Sequence, residues 1–186
     1  MKNQERISRC GFVVAKFLID HEILYLMRRS KKWRDISFVG GHEMERDSHR
    51  LFRTAYRELL EEVPPLRKLD KFELKPVTDE FKYGPVYSRS AEQVVKYEMQ
   101  FFLLKFSESP KPLLQALSPR SPNILLSERD LLVPGGYQIA GLVNALDNTY
   151  PGGIKALPLS WNDDLGPELG ELYRMQKAQL ELKLSA

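Results

Sequence analysis

Residues 40–62 read GGHEMERDSHRLFRTAYRELLEE, and this stretch decides how the chain is read. The pair Gly40-Gly41 closes an apolar run and precedes a helix-forming segment that Pro64-Pro65 must end, because proline has no amide proton to give the helix. Asp47 or Ser48 is the expected N-cap. Glu58, Glu61 and Glu62 stand at i, i+3 and i+4, so their carboxylates share one helix face. Three acids crowded together repel one another unless a cation neutralises them, and hard cations such as Mg²⁺ prefer carboxylate oxygen. At about 100° per residue the helix sorts into three sectors. Phe52, Ala55, Tyr56, Leu59 and Val63 form an apolar arc for the core. Thr54 joins the three glutamates in a second arc, and Arg50, Arg53 and Arg57 form a third.

Working outward, residues 10–19 (CGFVVAKFLI) and 22–29 (EILYLMRR) are rich in β-branched and aromatic side chains, with Asp20-His21 between them. They predict a hairpin. Residues 30–35 form a basic turn around Trp33, and 36–39 a short strand running into the glycines. Downstream, 72–78 and 94–106 read as strands. Residues 83–91 carry Gly84, Pro85 and Ser88 and predict a loop or short hairpin. Four prolines in 107–123 exclude a long regular element and suggest a surface excursion. A short turn or helix is expected over 127–132 after the strand ILL, then a helix over 137–146 and a turn at YPGG. An amphipathic helix over 167–184 has Leu169, Leu172, Tyr173, Gln176 and Leu180 near one face. Strands and helices mixed in this way predict an α/β fold in one domain, 1–186, with a helical C-terminal part from about 137.

The composition, 42% apolar and 28% charged, is that of an ordinary folded domain, and the formal charge of +3 is too small to argue for nucleic acid. One cysteine, Cys10, rules out an internal disulfide framework and suits a reducing compartment. Its plain reading is a small buried apolar residue. No signal peptide is evident, and no stretch approaches the roughly 18–20 apolar residues that cross a bilayer. The expectation is a cytoplasmic protein that binds neither membrane nor nucleic acid.

The 40–65 segment resembles the Nudix box, written G-x5-E-x7-R-E-U-x-E-E-x-G-U, where U is a bulky aliphatic residue. Arg57, Glu58, Leu59, Glu61 and Glu62 match its R-E-U-x-E-E core in type and spacing, and Gly41 matches the opening glycine. The preceding YLMRRSKKW and ISFVGG are also similar to the family's upstream context, and ILLSERDLL to a segment late in its fold. This sequence departs in three ways. Two residues too many separate Gly41 from Arg57, so that either Asp47 or His49 takes the place of the first glutamate; Pro64 replaces the glycine after the helix, and Pro65 the closing aliphatic.

The resemblance implies a Nudix-type α/β/α sandwich around a mixed β-sheet. It also implies a Mg²⁺- or Mn²⁺-dependent pyrophosphohydrolase that cleaves a nucleoside diphosphate linked to another moiety. Glu58, Glu61, Glu62 and Gly41 would hold the metal. Glu58, Glu61 and Arg57 would be catalytic, with Arg57 orienting a glutamate and the identity of the base left open. Arg28, Arg34, Trp33, Gly40 and His42 are the substrate-binding candidates. A run such as Arg28 to Arg34 is more often simply a solvated turn, and Trp33 more often a core anchor. Glu80, Phe81, Tyr83 and Glu98 are looser candidates for base stacking or a late catalytic acid. The alternative is a catalytically degenerate module of the same fold that binds a nucleotide or a protein. A basic nucleic-acid-binding domain is a third reading, which the small net charge disfavours. The C-terminal helix could pack on its own domain or make a homodimer.

Overall fold

The computed structural model describes residues 6–30, 35–69, 71–88, 91–131 and 138–184. Its centre is a pair of β-sheets. In the first sheet, β1 (Arg6–Val14) runs antiparallel to β5 (Val39–His42) and parallel to the long β8 (Gln93–Phe106). The C-terminal half of β8 pairs antiparallel with β6 (Phe72–Pro76), its N-terminal half with β7 (Phe81–Ser88). The sheet is therefore mixed, as expected. In the second, antiparallel sheet, β3 (Glu22–Ser30) pairs with β2 (Lys16–Ile19), β4 (Asp35–Ser37) and β9 (Asn123–Ser127).

The β2–β3 hairpin forms at the expected place. Asp20 and His21 both adopt positive φ, 51° and 64°, the twist that a two-residue hairpin turn favours. The run 10–19 is not one strand, however. It breaks at Ala15, and β1 and β2 belong to different sheets. Apart from Lys16 its residues are apolar on both faces, so alternation gives no sign of where the chain changes sheets.

Helices cover both sides. On one side Val13, Phe17, Leu24, Leu26, Phe102 and Leu104 pack with α1 (Leu51–Glu62), α2 (Lys111–Gln115) and α6 (Pro167–Leu184). On the other, Cys10, Phe12, Tyr25, Phe38, Phe101 and Leu126 pack with α3 (Glu128–Leu131), α4 (Gln138–Thr149) and α5 (Gly153–Ala156). The result is a three-layer α/β/α arrangement. Helix α1 lies close against β1 at Gly11, where a Cβ would come within 2.6 Å of the Leu51 carbonyl oxygen. Cys10 is buried, as read from the sequence. Among the described residues no helix is long and apolar enough to cross a membrane.

Several local expectations change. Of the two expectations for residues 83–91, a loop or a short hairpin, the hairpin holds: most of them belong to β7, whose antiparallel pairing with β8 carries the strand through Gly84-Pro85 with a register shift between Tyr83 and Val86. The proline-rich 107–123 contains the short α2, with a proline in its first turn, where a missing amide proton costs little. The helix expected over 137–146 runs on to Thr149. The apolar arc of α1 is narrower than its periodicity suggests. Leu51, Thr54, Ala55 and Leu59 are buried, whereas Phe52 and Tyr56 are exposed and stack on one another, in a row with Phe72 and Phe102. Helix α6 matches its expected bounds, with Leu169, Tyr173 and Gln176 inward.

Candidate active site on helix α1

Neither expected N-cap of α1 performs that role. The residue before the helix is Arg50, and Asp47 ends a 3₁₀ turn, Glu45–Asp47. Ser48 and His49 follow with φ of 54° and 56°. The two additional residues are thus absorbed in a left-handed kink that returns the chain to the helix. Asp47 is 3% exposed and turns its carboxylate inward. It accepts hydrogen bonds from the Met44 amide (2.9 Å), the Thr54 hydroxyl (3.0 Å), and Arg57 Nε and Nη2 (3.1 and 2.9 Å). The Arg57 guanidinium, more than any other partner, holds the Asp47 carboxyl down at about 2. Of the two residues that could stand at the first-glutamate position, Asp47 is the one joined to Arg57. His49 instead lies 3.3 Å from Glu43 Oε2.

With one edge fixed on Asp47, Arg57 spreads its remaining donors over the acids. Nη1 reaches Glu58 Oε1 at 2.7 Å and Glu61 Oε2 at 3.3 Å, and Nη2 also donates to the His42 carbonyl at 2.9 Å. The guanidinium consequently ties the end of β5 to the acidic face of α1. Such fork-shaped, charge-assisted contacts fix orientation as well as charge.

The glycine pair lies directly over the acids. The Gly40 amide donates to Glu62 Oε2 at 3.1 Å. At Gly41 a Cβ would sit 2.7 Å from the Glu58 carboxyl carbon, so only glycine lets the strand pass this close. Glu62 also pairs with Arg28 Nε at 3.1 Å, and Arg46 Nη2 meets Glu61 Oε1 at 2.9 Å. Burial pushes the Glu62 carboxyl up to about 7 against the pull of Gly40 and Arg28, with Glu58 and Glu61 adding repulsion. Glu58 Oε2 accepts no hydrogen bond from the described residues. Among those residues, no group of three or more acids, histidines or cysteines converges closely enough to hold a metal ion. The glutamates share a face, but each is engaged by an arginine.

The other sequence candidates scatter. Trp33 and Arg34, with Lys31 and Lys32, lie outside the described residues. Arg28 is on the acidic face through Glu62, and His42 sits at its border, 2.7 Å from Ser8 Oγ. Glu80 and Glu98 both pair with Arg9, at 3.1 and 2.6 Å, as does Glu43 at 3.2 Å. Phe81 stacks on Phe101, and the Tyr83 hydroxyl lies against α4, 2.9 Å from where a Cβ on Gly141 would stand. Sequence reasoning missed Arg46, Arg9 and Ser8. Ser8 alternates with Cys10 along β1, which was the one signal available for it.

No family model and no curated protein matches the sequence. Among solved structures the chain is similar to Shewanella oneidensis NrtR, at 15% identity and a TM-score of 0.47, covering 95% of this chain and 64% of that one. This chain therefore spans less than two thirds of that protein's length. It is also similar to the C. elegans Ap4A hydrolase (12% identity, TM-score 0.40, 94% of this chain and 98% of that one). A third likeness is to a mutT/nudix family protein from Listeria innocua (14% identity, TM-score 0.42, 100% of both chains). All three likenesses are distant, and what the name of each says stays with that protein.

Proposed function

We propose that this chain is a Nudix-type hydrolase that uses Mg²⁺ or Mn²⁺ to cleave a phosphoanhydride in a nucleoside diphosphate linked to a further group. One observation carries the reading: the Gly40-Gly41 strand is laid against the Glu58/Glu61/Glu62 face of α1, with Arg57 fixed by Asp47 beside it. The donor set suits a hard cation, since carboxylates and the backbone at Gly41 offer only oxygen. Glu58, Glu61, Glu62 and Gly41 would hold it. When bound, the cation neutralises the non-bridging phosphate oxygens and lowers the pKa of water. Arg57 keeps Glu58 Oε1 occupied, so Oε2 is the oxygen left either to hold the cation or to take a proton from the attacking water. Arg28 and Arg46, which pair with Glu62 and Glu61, would be released by the cation and free to meet phosphate oxygens. A lone buried cysteine supports a cytoplasmic setting.

The arginine pairing also favours a second reading, a binding module whose acids are permanently neutralised. Turnover separates the two. Incubation with Mg²⁺ and a panel of nucleoside diphosphate derivatives should release a nucleoside monophosphate or phosphate, and Glu61→Gln should abolish the release. Nucleotide binding without turnover under any divalent metal would favour the module.

A further inference from the structure

Beyond His42, at the ends of β1, β7 and β8, the chain forms a cleft of about 380 Å³, at the small end of the range for ligand sites. Ser8 is opposite Tyr97, and Cys10 is opposite both Met99 and His42, so alternation directs Ser8, His42 and Tyr97 to one sheet face. The cleft is lined by these three with Arg6, Ser88 and Val95. His42 Nδ1 lies 2.7 Å from Ser8 Oγ and 3.3 Å from Cys10 Sγ, and its ring is 6.3 Å from that of Tyr97. The same residue gives its carbonyl to Arg57. The cleft is therefore on the sheet face opposite α1 and reaches the acidic face only around the edge strand β5, whose last residue is His42.

The lining has a definite chemical character. Arg9, which also borders the cleft, is neutralised by three carboxylates, whereas Arg6 makes no ion pair among the described residues. A phenol ring, an imidazole held by a hydroxyl, a valine and one uncommitted guanidinium suit a flat heteroaromatic ring with a polar edge better than a second phosphate chain. The volume suits a base with its sugar and little more.

We infer that this cleft takes the nucleoside end of the ligand, with the base stacked on Tyr97 and its polar edge read by Arg6 and the Ser8–His42 pair. The inference rests on the hydrolase reading only in sending the diphosphate past His42 to the glutamates. Phe81 and Tyr83, the aromatic candidates from sequence, do not line this cleft, which leaves Tyr97 as the stacking ring.

Calorimetric titration of metal-free protein in EDTA tests it, with ADP, GDP, CDP and UDP against inorganic pyrophosphate. Wild type should bind at least one nucleoside diphosphate more tightly than pyrophosphate. Tyr97→Ala should weaken that binding about tenfold or more, the scale of base–aromatic stacking, and leave pyrophosphate unchanged; Tyr97→Phe should retain it. Should Tyr97→Ala fail to fold, Arg6→Ala decides, with an expected selective loss of about threefold or more. Equal affinity for pyrophosphate and every nucleoside diphosphate overturns the inference. So does a folded Tyr97→Ala, or in its absence Arg6→Ala, that binds like wild type or weakens both probes alike. Selective binding through Tyr97 without turnover under Mg²⁺ sinks the hydrolase and keeps the cleft. Turnover with KM unchanged in Tyr97→Ala does the reverse.

Discussion

Lys16 and Glu62 are both ionisable groups drawn largely out of water, and the protein treats them in opposite ways. Lys16 Nζ lies within hydrogen-bonding reach of three carbonyls, those of Lys155 (2.7 Å), Leu157 (2.9 Å) and Ile154 (3.4 Å). Three donors meet three acceptors, and the ammonium fastens the α5 segment to β2. Burial alone works against it, lowering its pKa. Glu62 has a good cation and a backbone amide, yet it shares its helix face with two more carboxylates and keeps its proton up to about 7. A buried charge with every valence satisfied ties segments together. One kept beside like charges holds repulsion that a bound cation would relieve, and perturbed acids of that kind mark functional sites more often than structural ones.

The largest effect that could break this contrast is on turnover. Glu62→Gln should cut kcat by about a thousandfold, the scale on which lost charge stabilisation is felt, while the melting temperature holds or rises as a crowded charge is removed. Full activity in that variant would place Glu62 with Lys16, as structure only. Lys16→Met should do the opposite. It strands three carbonyls, so urea unfolding should show a loss of roughly 3 kcal/mol, with nucleotide affinity unchanged at temperatures where the variant is folded.

A third expectation concerns pH in metal-free protein. The folded-state pKa of Glu62 lies above its ordinary 4.5, so between 4.5 and about 7 the folded state binds more protons than the unfolded one. Stability from this group is greatest below 4.5 and falls as pH rises toward 7, by up to roughly 3 kcal/mol. Denaturant midpoints across that window should carry the slope in wild type and lack it in Glu62→Gln. Equal slopes in both would remove the crowding that separates Glu62 from Lys16.

What the sequence disclosed follows the same division between local and long-range causes. Helix α6 was legible to its ends because Pro167 and an apolar spacing are local signals. The glutamate triplet was legible because helix geometry alone puts it on one face. Strand β7 was legible only as one of two alternatives, a loop or a short hairpin, since Gly84-Pro85 signals a turn locally and pairing with β8 decides for the hairpin. Phe52 and Tyr56 were misjudged because periodicity locates an apolar arc without saying which of its members the sheet will cover. Counting left Asp47 and His49 equal, and which of them bonds Arg57 depends on where the guanidinium ends up. Tyr97 was passed over because its partners Ser8 and His42 come from distant strands.

Asp47 offers the smallest and sharpest test, because it is a satisfied charge at the edge of the unsatisfied group. It resembles Lys16 in having its acceptors filled, by Met44, Thr54 and Arg57, and it differs in holding a residue of the candidate site. Its folded-state pKa, about 2 against an ordinary 3.8, is depressed chiefly by Arg57. The stability it lends is complete above about 3.8 and is lost as pH falls toward 2; it amounts to roughly 2 kcal/mol. Asp47→Asn should cost about that much at neutral pH and flatten the acid limb of the stability profile. If satisfied charges are structural wherever they sit, nucleotide affinity in the variant will match wild type and only the melt will move. If Arg57 needs this anchor to orient Glu58, kcat will fall about tenfold while KM stays put, and Asp47→Glu will not restore it unless the longer side chain fits the Ser48-His49 kink. A result of the second kind would show that the Ser48-His49 kink serves the candidate site as well as the fold, by holding Asp47 against the Arg57 guanidinium.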